Sequence, residues 1–167
     1  MKIGLLSDSH HKTERLSRAI DLLVARGAEH LVHCGDVCEA TDLLLFRDVP
    51  VPASVVAGNM DVHQVDALTK YAALAGIDFA LDSVAVEFAP GEHLIATHGH
   101  FFELLEELIV GGSFPYVCHG HTHVPRDERF GRVRVLNPGA IAHPRSNAGP
   151  TVGLLDTDTD TFEWIAV

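Results

Sequence analysis

Residues 117–124 read Val-Cys-His-Gly-His-Thr-His-Val, and the reading of the chain turns on Gly120-His121-Thr122-His123 within them. Two histidines separated by one residue share a face of an extended chain and can also converge where the chain turns. Gly120 lets the backbone turn sharply with no Cβ in the way. At a strand end the two imidazoles can therefore reach neighbouring positions of one pocket, and imidazole is a common ligand for Zn, Mn, Fe, Co and Ni. Alone, the pair is as readily a surface accident as a ligand set. It gains force only if matching side chains stand at other strand ends.

They do. Asp8-Ser9-His10 follows the apolar run Ile3-Gly4-Leu5-Leu6, and Gly35-Asp36 follows Leu31-Val32-His33-Cys34. Gly58-Asn59-Met60-Asp61 follows Val55-Val56-Ala57, and His98-Gly99-His100 follows Leu94-Ile95-Ala96-Thr97. Each has an ordinary explanation when taken singly: Asp8 as a charge at a helix start, Asp36 and Asn59 as turn residues, His98 and His121 as polar loop residues. Five in succession, each where a short apolar run ends, leave coincidence little room. The order Asp-x-His, Gly-Asp, Gly-Asn, His, Gly-His-x-His resembles the calcineurin-like metallophosphoesterase superfamily, and in particular its small prokaryotic phosphodiesterase branch. The resemblance runs from Lys2 to about Ala140.

Size and charge narrow the alternatives. The 167 residues, 47% of them apolar, are enough for one domain, 1–167, with a sizeable core. No stretch approaches the roughly 18 uninterrupted apolar residues of a membrane span, and Asp8 cuts the N-terminal apolar run too short for a signal peptide. A net charge of −11 argues against a large nucleic-acid partner, whose phosphates would demand clustered Lys and Arg. Cys34, Cys38 and Cys118, an odd number, read as reduced thiols of a cytoplasmic protein. The sequence is compatible with a homo-oligomer.

The chain alternates at first. Strands are expected at 2–7, 30–34 and 53–57, separated by helices over 13–27 and 39–47, so these strands should be parallel. A helix over 64–75 follows. Residues 77–89 and 92–98 read as two strands around Pro90-Gly91, and Phe101–Val110 as a helix turning Phe101, Leu104, Leu105 and Leu108 inward. Strands at 114–118, 124–129 and 132–136 and a hairpin of 151–156 with 161–167 complete the chain. The tip of that hairpin, Thr157-Asp158-Thr159-Asp160, lacks the glycine and closing glutamate of a calcium loop and reads as a solvated turn. An α/β first half and a β-rich second half point to two sheets packed face to face with helices outside. The resemblance implies the same α/β fold, a four-layer α-β-β-α sandwich of two mixed sheets.

The resemblance also implies the chemistry. Two cations about 3.5–4 Å apart activate a water and brace both oxygens of an in-line displacement. Asp36 occupies the position of the carboxylate that bridges them, Asp8, His10 and His123 hold the first, and Asn59, His98 and His121 hold the second. Two aspartates against four positive charges leave the site net positive, as gripping a phosphate ester requires. Nitrogen and oxygen ligands without a thiolate suit transition metals rather than calcium, with Mn favoured and Fe, Ni, Co, Zn and Mg open. A hydroxide between the metals attacks phosphorus in line, without a covalent enzyme intermediate. The expected enzyme is a metal-dependent phosphoric ester hydrolase, a phosphodiesterase before a phosphomonoesterase, acting on small esters in an open site.

One departure matters. Many superfamily phosphatases have Gly-Asn-His-Glu where this chain has Gly58-Asn59-Met60-Asp61, and a thioether cannot donate a proton. His100, two residues after a ligand, is expected in the pocket as a substitute acid or phosphate contact, and Asp61 as a catalytic or loop-orienting carboxylate. His33 reads as support behind the ligands, and His119 stays outside the ligand set. Asn137-Pro138-Gly139 resembles a family signature that closes the site from beneath, with Ala140 in place of the more usual Ser. His11, His30, His63, His93 and His143 receive no role. Two rivals share the resemblance: a non-enzymatic protein-binding scaffold, as in a retromer subunit of this fold, and a nuclease.

Overall fold

The first strand shows why the molecule is layered. In β1 (Lys2–Leu6) every residue after Lys2 is buried, so both faces need cover. Ile3 and Leu5 enter a core between two sheets, and Leu6 enters a second core beneath helices. Strands buried on both faces are what βαβ crossovers produce.

The computed structural model describes residues 1–167. After β1 come α1 (Thr13–Ala25), β2 (His30–His33), a 3-10 helix at Ala40–Phe46, and β3 (Ala53–Val56). A 3-10 turn at Val62–Gln64 leads into α2 (Val65–Ala75), then β4 (Asp78–Ala80), β5 (Ser83–Ala89), β6 (Glu92–Thr97) and α3 (Phe102–Gly111). The chain ends with β7 (Tyr116–Cys118), β8 (Arg126–Phe130), β9 (Val133–Asn137), β10 (Thr151–Asp156) and β11 (Thr161–Ala166). One sheet has the order β11-β10-β1-β2-β3-β4 and the other β5-β6-β7-β9-β8. The pairs β1·β2, β2·β3, β3·β4, β6·β7 and β7·β9 are parallel, and both sheets are mixed.

Leu16, Ile20 and Leu23 of α1 and Leu68 and Ala72 of α2 pack on the outer face of the first sheet. Ile3, Leu5, Val32 and Val56 meet Leu94, Ala96, Tyr116 and Leu136 between the sheets. Leu105 of α3 packs on Ile95, Val117, Val133 and Val135 outside the second. These are the four expected layers, and no helix is long and apolar enough to cross a membrane.

Three expectations are corrected. The helix expected over 39–47 is a 3-10 helix: its buried apolar residues Ala40, Leu43 and Phe46 recur every three residues, the period that eclipses side chains in a 3-10 turn. The single strand expected over 77–89 is two, because the chain leaves the first sheet after Ala80 and enters the second at Ser83. Phe101 does not face inward. It precedes α3 with a non-helical backbone, is 49% exposed, and lays its ring against His100 at a centroid distance of 4.0 Å.

Candidate metal centre

Every ligand candidate follows a parallel strand: Asp8 and His10 after β1, Asp36 after β2, Asn59 after β3, His98 after β6, His121 and His123 after β7. The crevice beyond the carboxyl ends of such strands is where α/β sheets bind ligands. The backbone there is strained. Asp8, His10, Asp36, His121 and His123 have φ of 54°, 39°, 57°, 63° and 58°, as do His11, Cys38 and His143 nearby at 59°, 66° and 50°. Non-glycine residues adopt this left-handed region rarely and at a cost. Asp160 is the one other non-glycine residue to do so.

Close approach explains two of the neighbouring glycines better than turning does. A Cβ at Gly58 would collide with the carboxylate and backbone nitrogen of Asp36, and one at Gly120 with the Ser7 hydroxyl and, at 2.8 Å, with Asp8 Oδ2. Any side chain there would push apart the loops that carry the ligands.

The nitrogen and oxygen atoms converge in two overlapping groups, Asp8 with His10 and His123, and Asp8 with Asp36 and His98. In the first, His123 Nδ1 faces the His143 carbonyl oxygen at 2.8 Å and so carries the proton, leaving a lone pair on Nε2. That lone pair points into a space 3.1 Å from Asp8 Oδ1 and 3.3 Å from His10 Nε2. Asp8 Oδ2 accepts from the Ser7 hydroxyl at 2.6 Å and from the His121 N–H at 3.2 Å. Asp8 Oδ1 is buried with no aligned donor. A fully buried carboxylate oxygen without a donor is costly unless a cation meets it.

The second group repeats the pattern. His98 Nδ1 faces the Cys34 carbonyl oxygen at 2.7 Å, which turns Nε2 toward Asn59 Oδ1 at 3.1 Å and Asp36 Oδ2 at 3.5 Å. Asp36 Oδ2 is also 3.6 Å from His10 Nε2, so this oxygen stands between the two groups, while Oδ1 accepts the Met60 N–H at 2.8 Å. His121 and Asn59 line the same cavity, and the His121 ring lies 5.1 Å from that of His98.

Ionisation follows the same logic. Burial opposes the charge on Asp8, but the imidazoles of His123 and His98 and the Ser7 hydroxyl outweigh it and hold the carboxyl below its ordinary range. Asp36 is likewise lowered, burial being outweighed by His98 and the Met60 N–H. Burial opposes protonation of His98, but Asp36 raises it, and Asp8 raises His123. Protons are thus favoured where cations would sit. His10 and His121 are lowered, chiefly by burial. The donor set of nitrogen and oxygen, the orphaned Asp8 Oδ1 and the converging lone pairs fit divalent transition metals.

Around this sit supporting residues. Asp61 is fully buried, one oxygen accepting the N–H of Cys38 at 2.8 Å and the other those of Gly58 at 2.8 Å and Val37 at 3.2 Å. Closed off from solvent, it clasps the Asp36 and Asn59 loops together. His33 accepts the Gly35 N–H on Nδ1 and meets the Ser9 hydroxyl with Nε2. The Asn137 amide donates to the Gly120 carbonyl oxygen at 2.9 Å and the Thr122 hydroxyl at 3.1 Å. His100 lies beside the ligand candidates, its ring centroid 5.3 Å from that of His98 and 6.3 Å from that of His121.

The cavity, of about 250 Å³, is completed by Met60, His143 and Arg145. The last two escaped the sequence reading. Their only signal is position: they lie just beyond Asn137-Pro138-Gly139, with Pro144 stiffening the chain between them.

Comparison with known proteins agrees with this geometry. Residues 1–160 match the calcineurin-like phosphoesterase superfamily domain, and the chain belongs to that superfamily. It is similar to phosphodiesterase MJ0936 of Methanocaldococcus jannaschii, 29% identical over 167 residues, with 100% of this chain and 99% of that one covered. It is also similar to phosphodiesterase YfcE of Escherichia coli, 29% identical over 169 residues, with 95% and 89% covered. Among solved structures, a protein described as a novel archaeal phosphodiesterase superposes with a TM-score of 0.88 at 28% identity, both chains covered in full.

Proposed function

We propose that the protein is a dinuclear-metal phosphodiesterase of the cytoplasm acting on small phosphate esters. The observation that carries this reading is the buried Asp8 Oδ1 facing the Nε2 atoms of His123 and His10, with Asp36 Oδ2 shared toward His98. Asp8, His10 and His123 would hold one cation and Asn59, His98 and His121 the other, with Asp36 between them and Mn the first choice. Such a pair, when bound, supplies Lewis acidity and a water activated for in-line attack on phosphorus. The chain's own contribution is placement. Carbonyl oxygens of Cys34 and His143 fix the tautomers of His98 and His123. The Met60 N–H orients Asp36, and Asp61 holds the loops at their separation.

Position 60 shapes substrate choice. Its N–H serves Asp36, while its side chain, 55% exposed, faces the cavity and offers no proton. Esters with good leaving groups, which need little protonation, are therefore the preferred substrates. The imidazoles left without a ligand role are His143, in the cavity wall, and His100, against Phe101 beside His98. A complete ligand set favours the enzyme over a protein-binding scaffold of the same fold.

The test is a panel of phosphomonoesters, cyclic nucleotides and diesters with Mn, run beside Asp36→Asn. Hydrolysis of an activated aryl diester should be the fastest, and the variant should lose it by about a thousandfold or more. Unchanged turnover in a folded variant would move the chemistry elsewhere.

A further inference from the structure

Beyond the ligands, the cavity has one cationic wall. We propose that Arg145 is the anion clamp of this pocket, its guanidinium taking the non-bridging oxygens of the phosphate group. The identity of the anion rests on the phosphoesterase reading. The clamp itself rests on three observations.

Arg145 lines the same cavity as Asp36, Asn59 and His121, and no other Arg or Lys does. Its guanidinium is also unengaged. Arg26, Arg47, Arg126, Arg129 and Arg134 pair with carboxylates, and Arg15 and Arg132 donate to backbone carbonyl oxygens. Only Arg18, outside the pocket, is as free. In a chain of net charge −11, this exposed guanidinium stands in the cavity wall with no carboxylate paired to it.

The third observation is its mount. Residues 141–145 form a strap stitched to both ligand-bearing loops of the first group. The N–H groups of Ile141 and Ala142 donate to the carbonyl oxygens of Ser7 and Asp8 at 3.0 and 2.9 Å, and the Arg145 N–H donates to that of His123 at 3.0 Å. The His143 carbonyl oxygen accepts from His123 Nδ1, and Pro144 fixes the backbone just before the arginine. An exposed arginine on a free loop would sample many positions. This one starts from a backbone held at the pocket.

The chemistry matches. A phosphodiester spreads one negative charge over two non-bridging oxygens, which the planar fork of a guanidinium can take in parallel. Asp8 and Asp36 meanwhile repel approaching anions, so a cation at the mouth also draws substrate in.

The test uses the full chain loaded with Mn and three proteins, the wild type, Arg145→Ala and Arg145→Lys. Calorimetric titration with inorganic phosphate should show about tenfold weaker binding to the alanine variant and partial recovery in the lysine variant, which restores charge but not the fork. KM for an activated aryl diester should rise by a similar factor with kcat nearly unchanged, the pattern of lost uniform binding. Metal content and melting temperature should hold. Wild-type phosphate affinity in Arg145→Ala overturns the clamp while the wild type's hydrolysis keeps the phosphoesterase reading intact. Loss of metal from the variant overturns it in favour of a structural strap. A loaded wild type that neither binds phosphate nor hydrolyses any ester overturns both.

Discussion

The two ends of β1 both gather carboxylates and leave them in opposite states. Beyond its N-terminal end lies the turn Thr157–Asp160. There Asp158 meets the N-terminal amine at 2.8 Å, Asp156 accepts the N–H groups of Asp158 and Thr159, and Asp160 takes Arg134, Arg129 and the Tyr116 hydroxyl. Every charge there has its donor. At the C-terminal end, Asp8 keeps one oxygen with none, and imidazole lone pairs converge on the same space. Acidity alone does not mark a site, because both ends are acidic. Unmet valence inside a buried shell does.

The largest effect should come from removing that unmet oxygen. Elemental analysis of the wild type should find close to two transition-metal ions per chain, and Asp8→Asn less than one, with hydrolysis lost. Under chelation the variant should be no more stable than the wild type in urea, since the imidazoles of His123 and His98 and the Ser7 hydroxyl already favour the Asp8 charge. With metal the wild type should pull further ahead, because a cation at a hundred times its dissociation constant adds about 2.7 kcal/mol to the wild type alone. A variant that outlasts the wild type in urea under chelation would show that the burial of Asp8 outweighs its partners.

This contrast also shows what a sequence can and cannot display. The ligand candidates are legible because each repeats one grammar, an apolar strand and then a polar side chain beside a tight turn. The parallel half of the fold is legible for the same reason. The strap at 141–145 is not, because its work is done by backbone N–H groups of Ile141 and Ala142, which leave no trace in side-chain identity. So His143 looks like any surface histidine and Arg145 like any surface arginine. The run Leu43-Leu44-Leu45-Phe46 is apolar at either helical period and cannot say which it adopts. The change of sheet at Leu81-Asp82 carries only the short turn signal Asp82-Ser83, which does not say that the chain crosses to another sheet. Spacing brings His100 beside His98 but gives no hint of the rotation that seats its ring on Phe101.

A smaller effect separates the two ends by pH. Buried behind the site, His33 has its pKa pushed down to about 4 by desolvation, and its Nδ1 is occupied by the Gly35 N–H. The unfolded chain binds this proton near pH 6.5 and the folded one refuses it until about pH 4. Between those values the unfolded state carries more protons, so stability rises with pH across the window and is lost on acidification. The loss should approach about 3 kcal/mol at the acid end. His33→Asn should flatten the dependence of the urea midpoint between pH 7 and 4.5, whatever it costs at neutral pH. A slope equal to the wild type's would place the acid sensitivity in other histidines.

Asp160 should give the smallest effect and the cleanest control. Burial works against its charge, but Arg129, Arg134 and Tyr116 prevail and hold its carboxyl below the ordinary value. The sign is opposite to that of His33: this stability is present above the unfolded carboxyl pKa and is lost only as pH falls below it. Its side chain is 44% exposed, so solvent screens the pairs. Asp160→Asn should cost roughly 1 kcal/mol or less at neutral pH and leave metal content and diester hydrolysis at wild-type levels. A large loss of activity from this variant would mean that the two ends of β1 communicate through the sheet, and that the paired carboxylates are not the inert half of the comparison.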